Sequence, residues 1–141
     1  MSQLLDIAQL LVACWTLSGK ENKIPTSHGL LDRVLETACN MNKLPEWACK
    51  ELHFVDSRIG LQCVELPAIL DWAQKAELTK APNPSYKFAE IQVSEWVAKK
   101  LLKQLKVSED KAIKWGRSLR ESLDKEEKQP LYINIAGAEE C

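Results

Sequence analysis

ELPAILDWAQKAELTKAPNPSYKFAEIQVSEWVAKKLLKQLKV, residues 65–107, is the stretch that decides the fold. Its first third spaces apolar residues three and four positions apart, and it carries a proline in the first turn, where a helix tolerates one. The inward residues are Leu66, Ile69, Leu70 and Ala73. This pattern predicts an amphipathic helix over residues 65–77.

The middle of this stretch interrupts any helix. Ala-Pro-Asn-Pro-Ser at 81–85 is rich in turn formers, so residues 78–80 and 86–93 are predicted to be the two arms of a hairpin. Ser94 is then a suitable N-cap for a helix that ends near Val107. The sequence therefore predicts helix, hairpin and helix in close succession.

The rest of the chain is also mostly helical in pattern. We predict helices over residues 2–17, 27–40, 45–52 and 108–127, with Gly19 ending the first in a left-handed conformation. Residues 53–64 are predicted as a loop with some strand character. The fold class is therefore mainly α, of the α+β kind, in a single domain over 1–141, with residues 128–141 as a partly flexible acidic tail.

The helices at 27–40, 45–52 and 65–77, followed by the hairpin at 78–93, resemble the order of elements in winged-helix domains. The resemblance covers residues 27–93 and rests on order and spacing, without diagnostic residues. The N-terminal helix and two C-terminal helices would be additions to that core. Winged-helix folds serve both as DNA readers and as protein-interaction modules, so the resemblance does not choose a function.

The first helix is apolar around most of its circumference. Its polar residues, Asp6, Gln9 and Thr16, form one narrow stripe. Such a helix is either central to a core or half of an interface, and the second alternative predicts a homodimer. The apolar run from Leu4 to Leu17 is too short to span a membrane, so we expect no membrane contact.

Charge is unevenly distributed along the chain. Lys and Arg number seven against ten Asp and Glu in residues 1–79, ten against four in 80–120, and two against six in 121–141. The net charge of −1 argues against a uniformly basic nucleic-acid binder. A basic segment between two acidic ones instead predicts one localised basic surface.

That basic surface lies on the last two helices, where cations recur at helical spacing beside two tryptophans. Basic residues interleaved with aromatics suit backbone neutralisation and base stacking on nucleic acids, or contact with an acidic protein. The alternative is an ordinary solvated helix face, with both tryptophans, Trp96 and Trp115, in the core. The residues of this candidate face are Trp96, Lys99, Lys100, Lys103, Lys106, Lys114, Arg117 and Arg120.

The helix at 65–77 offers a second candidate surface. Trp72 lies off the apolar face formed by Leu66 and Ile69, beside Asp71 and Lys75. Burying its ring takes another part of this chain or a partner, and tryptophan is enriched among the residues that dominate binding energy. Trp72, Asp71 and Lys75 are therefore predicted to contact a protein partner, with a partly covered core tryptophan as the alternative.

The five cysteines are odd in number and contain no C-x-x-C pair. Most lie in apolar helical contexts, where a thiol acts as a small hydrophobe, which favours a reducing cytoplasm. Three of them, with one histidine, could instead form a tetrahedral zinc site, although nine-residue gaps are wide for such sites. That candidate set is Cys39, Cys49, His53 and Cys63.

No catalytic signature is present. The chain has no G-x-S-x-G, Walker loop, G-x-G-x-x-G or H-E-x-x-H, and a thiolate pair of Cys49 with His53 lacks a third orienting group. We therefore expect no enzyme and no cofactor. The sequence predicts a cytoplasmic, regulatory binding domain that acts on a protein partner. The alternative is a winged-helix-like regulator that binds nucleic acid through the basic residues of 96–120.

Overall fold

The structure, a computed structural model, describes residues 3–26, 29–58, 60–80 and 88–128, with the last three as backbone only. The elements follow the order α1 (Gln3–Ser18), β1 (Lys23–Pro25), α2 (Leu30–Asn40), α3 (Glu46–Cys49), β2 (Phe54–Ser57), β3 (Gly60–Cys63), α4 (Leu66–Lys75), β4 (Phe88–Glu90), α5 (Glu95–Leu105) and α6 (Glu109–Lys128). The mainly α, α+β class is therefore confirmed. The tail predicted over 128–141 lies, from residue 129, outside the described residues.

The first helix is the centre of the core. Residues 7 and 8 and residues 10–15 are buried, and α1 packs against α4, α5 and α6. Asp6, Gln9 and Thr16 are only half-buried, as their polar stripe predicts. The predicted homodimer through this helix finds no support, because the chain's own helices already cover its apolar face.

Close approach of α1 and α6 depends on Gly116. A Cβ at this position would overlap the carbonyl oxygen of Cys14 and the side chain of Ser18. Gly19 has a related role, since a Cβ there would lie 2.8 Å from the guanidinium carbon of Arg120. The predicted left-handed conformation at Gly19 is wrong: its φ is not among the positive values found in the described residues.

The segment predicted as a loop at 53–64 is a β-hairpin. β2 and β3 pair antiparallel from Phe54 opposite Cys63 to Ser57 opposite Gly60. Gly60 has a φ of 113°, a conformation that an L side chain rarely adopts. Of the two predicted alternatives for this segment, strand is therefore the one that the structure adopts. The hairpin lies between α3 and α4 in the chain.

The hairpin predicted at 78–93 forms only in part. Thr79 bridges Ile91, and the Lys80 amide donates to the Glu90 carbonyl at 2.9 Å. β4 pairs over three residues with β1, from Lys23 opposite Glu90 to Pro25 opposite Phe88. The small sheet is therefore completed from the N-terminal part of the chain. The predicted tip at 81–85 and the first two residues of the second arm, 86 and 87, lie outside the described residues.

Two helix starts agree closely with the sequence. The Ser94 hydroxyl accepts a hydrogen bond from the Val97 amide at 3.3 Å, and Ser108 does the same for Lys111. α5 ends where Lys106 adopts a left-handed φ of 59°. Within the described residues, no helix is both long and apolar enough to cross a membrane.

Candidate partner-binding surfaces

The predicted contact residues on α4 lie together on its outer side. Leu66, Ile69 and Ala73 bury the opposite side in the core, at 4%, 1% and 3% exposure. Lys75 Nζ lies 2.9 Å from Asp71 Oδ2 and 5.6 Å from the centroid of the Trp72 ring. Trp72 remains 37% exposed. The structure therefore brings all three predicted residues into one surface.

An open cleft of about 700 Å³ lies along this helix. Its walls come from α4, from the end of β3 and from the strand segments at 79–80 and 88–89. Apolar side chains line much of it, and Asp71 lies on its border. The principal lining residues are Val64, Leu66, Leu70, Asp71, Gln74 and Phe88. We call this the α4 cleft.

Charges at the α4 cleft are held in hydrogen bonds. Asp32 Oδ2 accepts from the Cys63 amide at 2.7 Å, and Lys80 Nζ lies 2.8 Å from Glu90 Oε2. The hydrogen bond from Lys80 lowers the pKa of Glu90 below its ordinary value. The cleft is therefore a largely apolar depression with anchored polar groups around it.

The basic face on α5 is exposed as predicted. Ala98, Leu101 and Leu102 bury the inner side of α5, so Trp96, Lys99, Lys100 and Lys103 point outward. Trp96 is 65% exposed, the largest fraction among the exposed large apolar side chains of the described chain. Lys100 Nζ lies 3.8 Å from the centroid of its ring, and Lys99 Nζ lies 3.9 Å from Glu109 on α6.

The basic residues beyond α5 divide into two groups. Lys106, Lys114 and Arg117 are exposed, so they remain available as part of the basic face. Trp115 is half-buried against the core, as its alternative interpretation predicts. Arg120 is also half-buried and points toward α1.

The assignment of Arg120 to the basic face is wrong. Its Nη2 donates to the carbonyls of Trp15 at 2.6 Å and Glu21 at 2.8 Å, and its Nε donates to the Ser18 hydroxyl at 2.9 Å. Burial lowers the pKa of Arg120 below its ordinary value. The side chain satisfies carbonyls at and beyond the end of α1, a stabilising place for a cation.

The zinc set does not form. Cys39 and Cys49 are joined in a disulfide, with their Cα atoms 5.6 Å apart. Cys63 is buried, and desolvation raises its pKa to about 11. No cluster of three potential metal ligands occurs within the described residues. The prediction that the cysteines are unpaired apolar groups therefore holds for Cys14 and Cys63, both buried, and is wrong for Cys39 and Cys49.

His53 has a structural partner. Glu65 accepts hydrogen bonds from the His53 amide at 2.7 Å and, through its other oxygen, from His53 Nδ1 at 2.6 Å. Burial alone would raise the pKa of Glu65, but these hydrogen bonds outweigh it, and the pKa lies below its ordinary value of 4.5. The pair ties β2 to the start of α4, and the proposed Cys49 thiolate is unavailable to His53.

No protein-family model, curated protein or solved structure matches this chain. The winged-helix resemblance therefore stays a prediction from the order and spacing of elements.

Sequence reasoning missed the α4 cleft and the structural role of Arg120. The cleft exists because Thr26 and Asp32, distant in sequence, border the same depression as α4 and as residues 79–80 and 88–89. The only local signal was the apolar character of Val64 and Phe88. Little in the sequence indicated the inward position of Arg120, because it is the last cation of a stripe whose other members face solvent.

Proposed function

We propose that this protein is a non-catalytic, regulatory binding domain and that its partner is another protein held at the α4 cleft. The observation that carries the proposal is the juxtaposition of an open apolar cleft of about 700 Å³ with a partly exposed tryptophan on the same helix. Asp71 belongs to both features, because it lines the cleft and pairs with Lys75 beside Trp72.

This arrangement has the composition of a protein interface. Interface centres are apolar and enriched in aromatic residues, while their rims are polar. Val64, Leu70 and Phe88 would form the centre, and Asp71 with Gln74 the rim. The cation over the Trp72 ring is the exposed Lys75. Because exposed ion pairs contribute little to stability, a partner could displace this lysine and cover the ring with little loss of stability in the monomer.

Site-specific crosslinking tests this proposal. A photoreactive amino acid at Gln74, in the cleft wall, should capture a discrete partner, and the same group at Lys125, exposed on α6, should not. Trp72→Ala and Val64→Lys should each abolish capture. Val55→Lys is the matched control, since Val55 is also exposed on the β2–β3 hairpin but is not among the cleft-lining residues. Capture that survives Trp72→Ala and Val64→Lys would exclude this surface.

A second candidate function is nucleic-acid binding by the basic face. The observation that favours it is the 65% exposed Trp96 surrounded by Lys99, Lys100 and Lys103. α4, the helix that a winged-helix reader would place in the major groove, presents Asp71 and is unsuited to that role. Contacts would therefore come from α5 and α6, without Arg120.

The expected cellular location also stays a prediction. Cysteine number and context favour the cytoplasm. The Cys39–Cys49 disulfide favours an oxidising compartment, or a reversible bond within a reducing one.

A further inference from the structure

Trp96 is exposed in a setting that keeps its ring accessible. It lies in the first turn of α5, two residues after the Ser94 N-cap, and 65% of its surface meets solvent. Lys100 Nζ lies 3.8 Å above the ring centroid, so one face already has a cation against it. Such a high exposure with one face covered leaves the opposite face open for stacking.

The neighbouring lysines form a stripe along one side of α5. Lys99, Lys100 and Lys103 follow Trp96 by three, four and seven positions, which are the spacings of a single helix face. At 1.5 Å per residue, the stripe from Trp96 to Lys103 extends about 10 Å. This length corresponds to about three nucleotides of stacked single strand, at roughly 3.4 Å each.

Stacking decides which nucleic acid fits this stripe. In a duplex, base faces are covered by neighbouring base pairs, and readout goes through groove edges. The outer side of α5 offers lysines, which act as point charges on phosphates, and an aromatic ring whose useful surface is its face. Only unstacked bases can use that face.

We propose that the α5 stripe is a binding site for single-stranded nucleic acid, with one base stacked on the open face of Trp96. Lys100 holds the other face, and Lys99 and Lys103 contact phosphates on either side. The inference rests on the second candidate function and names its ligand. The pairing of Lys99 with Glu109, at 3.9 Å between two exposed groups, contributes too little to prevent this contact.

Fluorescence anisotropy with a labelled 15-nucleotide oligo-dT and a labelled 15-base-pair duplex tests the assignment. The full chain should bind the single strand at least about tenfold more tightly than the duplex at low salt. Trp96→Ala should weaken single-strand binding by about tenfold or more, and Trp96→Phe should restore much of it, since any aromatic face can stack. Met41→Ala removes an exposed apolar side chain elsewhere and should leave binding unchanged.

Salt dependence tests the lysines separately. The two phosphate contacts of Lys99 and Lys103 on a single strand predict a slope of log K against log[salt] of about −1.4. Lys99→Gln with Lys103→Gln removes both phosphate contacts and should bring the slope close to zero. Lys43→Gln with Lys50→Gln, an equal loss of charge at exposed positions near α3, is the matched control.

The possible results distinguish failure of the stacking site from failure of nucleic-acid binding as a whole. Equal affinity for duplex and single strand, without dependence on Trp96, would overturn the stacking site while nucleic-acid binding stands. Absence of binding to both at low salt would overturn both proposals. Poly-glutamate could also compete with the single strand as well as unlabelled oligo-dT does. If Trp96→Ala did not change that competition, the stripe would be assigned to an acidic protein instead.

Discussion

Arg120 on α6 donates from Nη2 to the main-chain carbonyl of Trp15 on α1 at 2.6 Å, and its guanidinium carbon lies 4.1 Å from the centroid of the Trp15 ring. The Trp15 indole in turn donates from Nε1 to the Glu21 carbonyl at 2.7 Å. Since Arg120 also donates to that carbonyl, one side chain fixes the end of α1, the chain that follows it and α6 together.

Loss of this contact should lower stability markedly. Arg120→Ala removes three hydrogen bonds from a half-buried charged donor, together with its contact with the Trp15 ring, so we expect a decrease of about 2–3 kcal/mol in the free energy of unfolding. Urea unfolding followed by circular dichroism measures it. Arg117→Ala, one turn earlier but exposed, should change the free energy by less than about 0.5 kcal/mol. Similar losses in the two variants would contradict the assignment of Arg120 to the core.

Gly116 should not tolerate a side chain. Gly116→Ala would normally favour a helix, but here the added methyl overlaps Cys14 and Ser18 on α1. We expect the helices to separate and the free energy of unfolding to fall by about 1–3 kcal/mol. Thermal unfolding measures the effect, with Lys114→Ala on the exposed side of α6 as the control. A stabilised Gly116→Ala variant would show that α1 and α6 lie farther apart.

The disulfide between Cys39 and Cys49 should be detectable and stabilising. Its cysteines lie ten positions apart, and closing a loop of this size contributes about 3 kcal/mol through restriction of the unfolded chain. Alkylation of the denatured, unreduced protein should leave two of the five cysteines unmodified. Reduction should lower the unfolding free energy of the native chain. In a Cys39→Ser, Cys49→Ser variant, reduction should no longer change the unfolding free energy. Alkylation of all five cysteines before reduction would disprove the bond.

Glu65 should make stability depend on acidity. Its pKa is lower in the folded chain than its ordinary 4.5, so the unfolded state binds the proton more readily. The stabilisation is therefore complete above the ordinary pKa and is lost as the pH falls through the lower folded value. Wild type should exceed Glu65→Gln in unfolding free energy at pH 7, and the gap should narrow as the pH falls below 4.5. A gap that stays constant from pH 7 to below pH 4.5 would contradict this contribution of Glu65.

Local sequence patterns predicted most helices well, because a helix is specified by residues three and four positions apart. α5 shows this clearly: Ser94 caps it, and its apolar and charged sides are oriented as the spacing predicts. The outward position of Trp72 followed from the same geometry, whereas the exposure of Trp96 contradicts the interpretation that places its ring in the core. The 53–64 segment was harder to assign, since a short apolar run with one glycine suits a loop as well as a strand.

The sequence by itself determined most of the helices, the class of the fold and the outward position of Trp72. Tertiary structure alone decided that β1 pairs with β4, that Cys39 meets Cys49, that Arg120 turns inward and that β3 and α4 border a cleft. Each of these depends on contacts between residues that are not neighbours at helical spacing. Charge and spacing along one helix cannot show which neighbour will cover it.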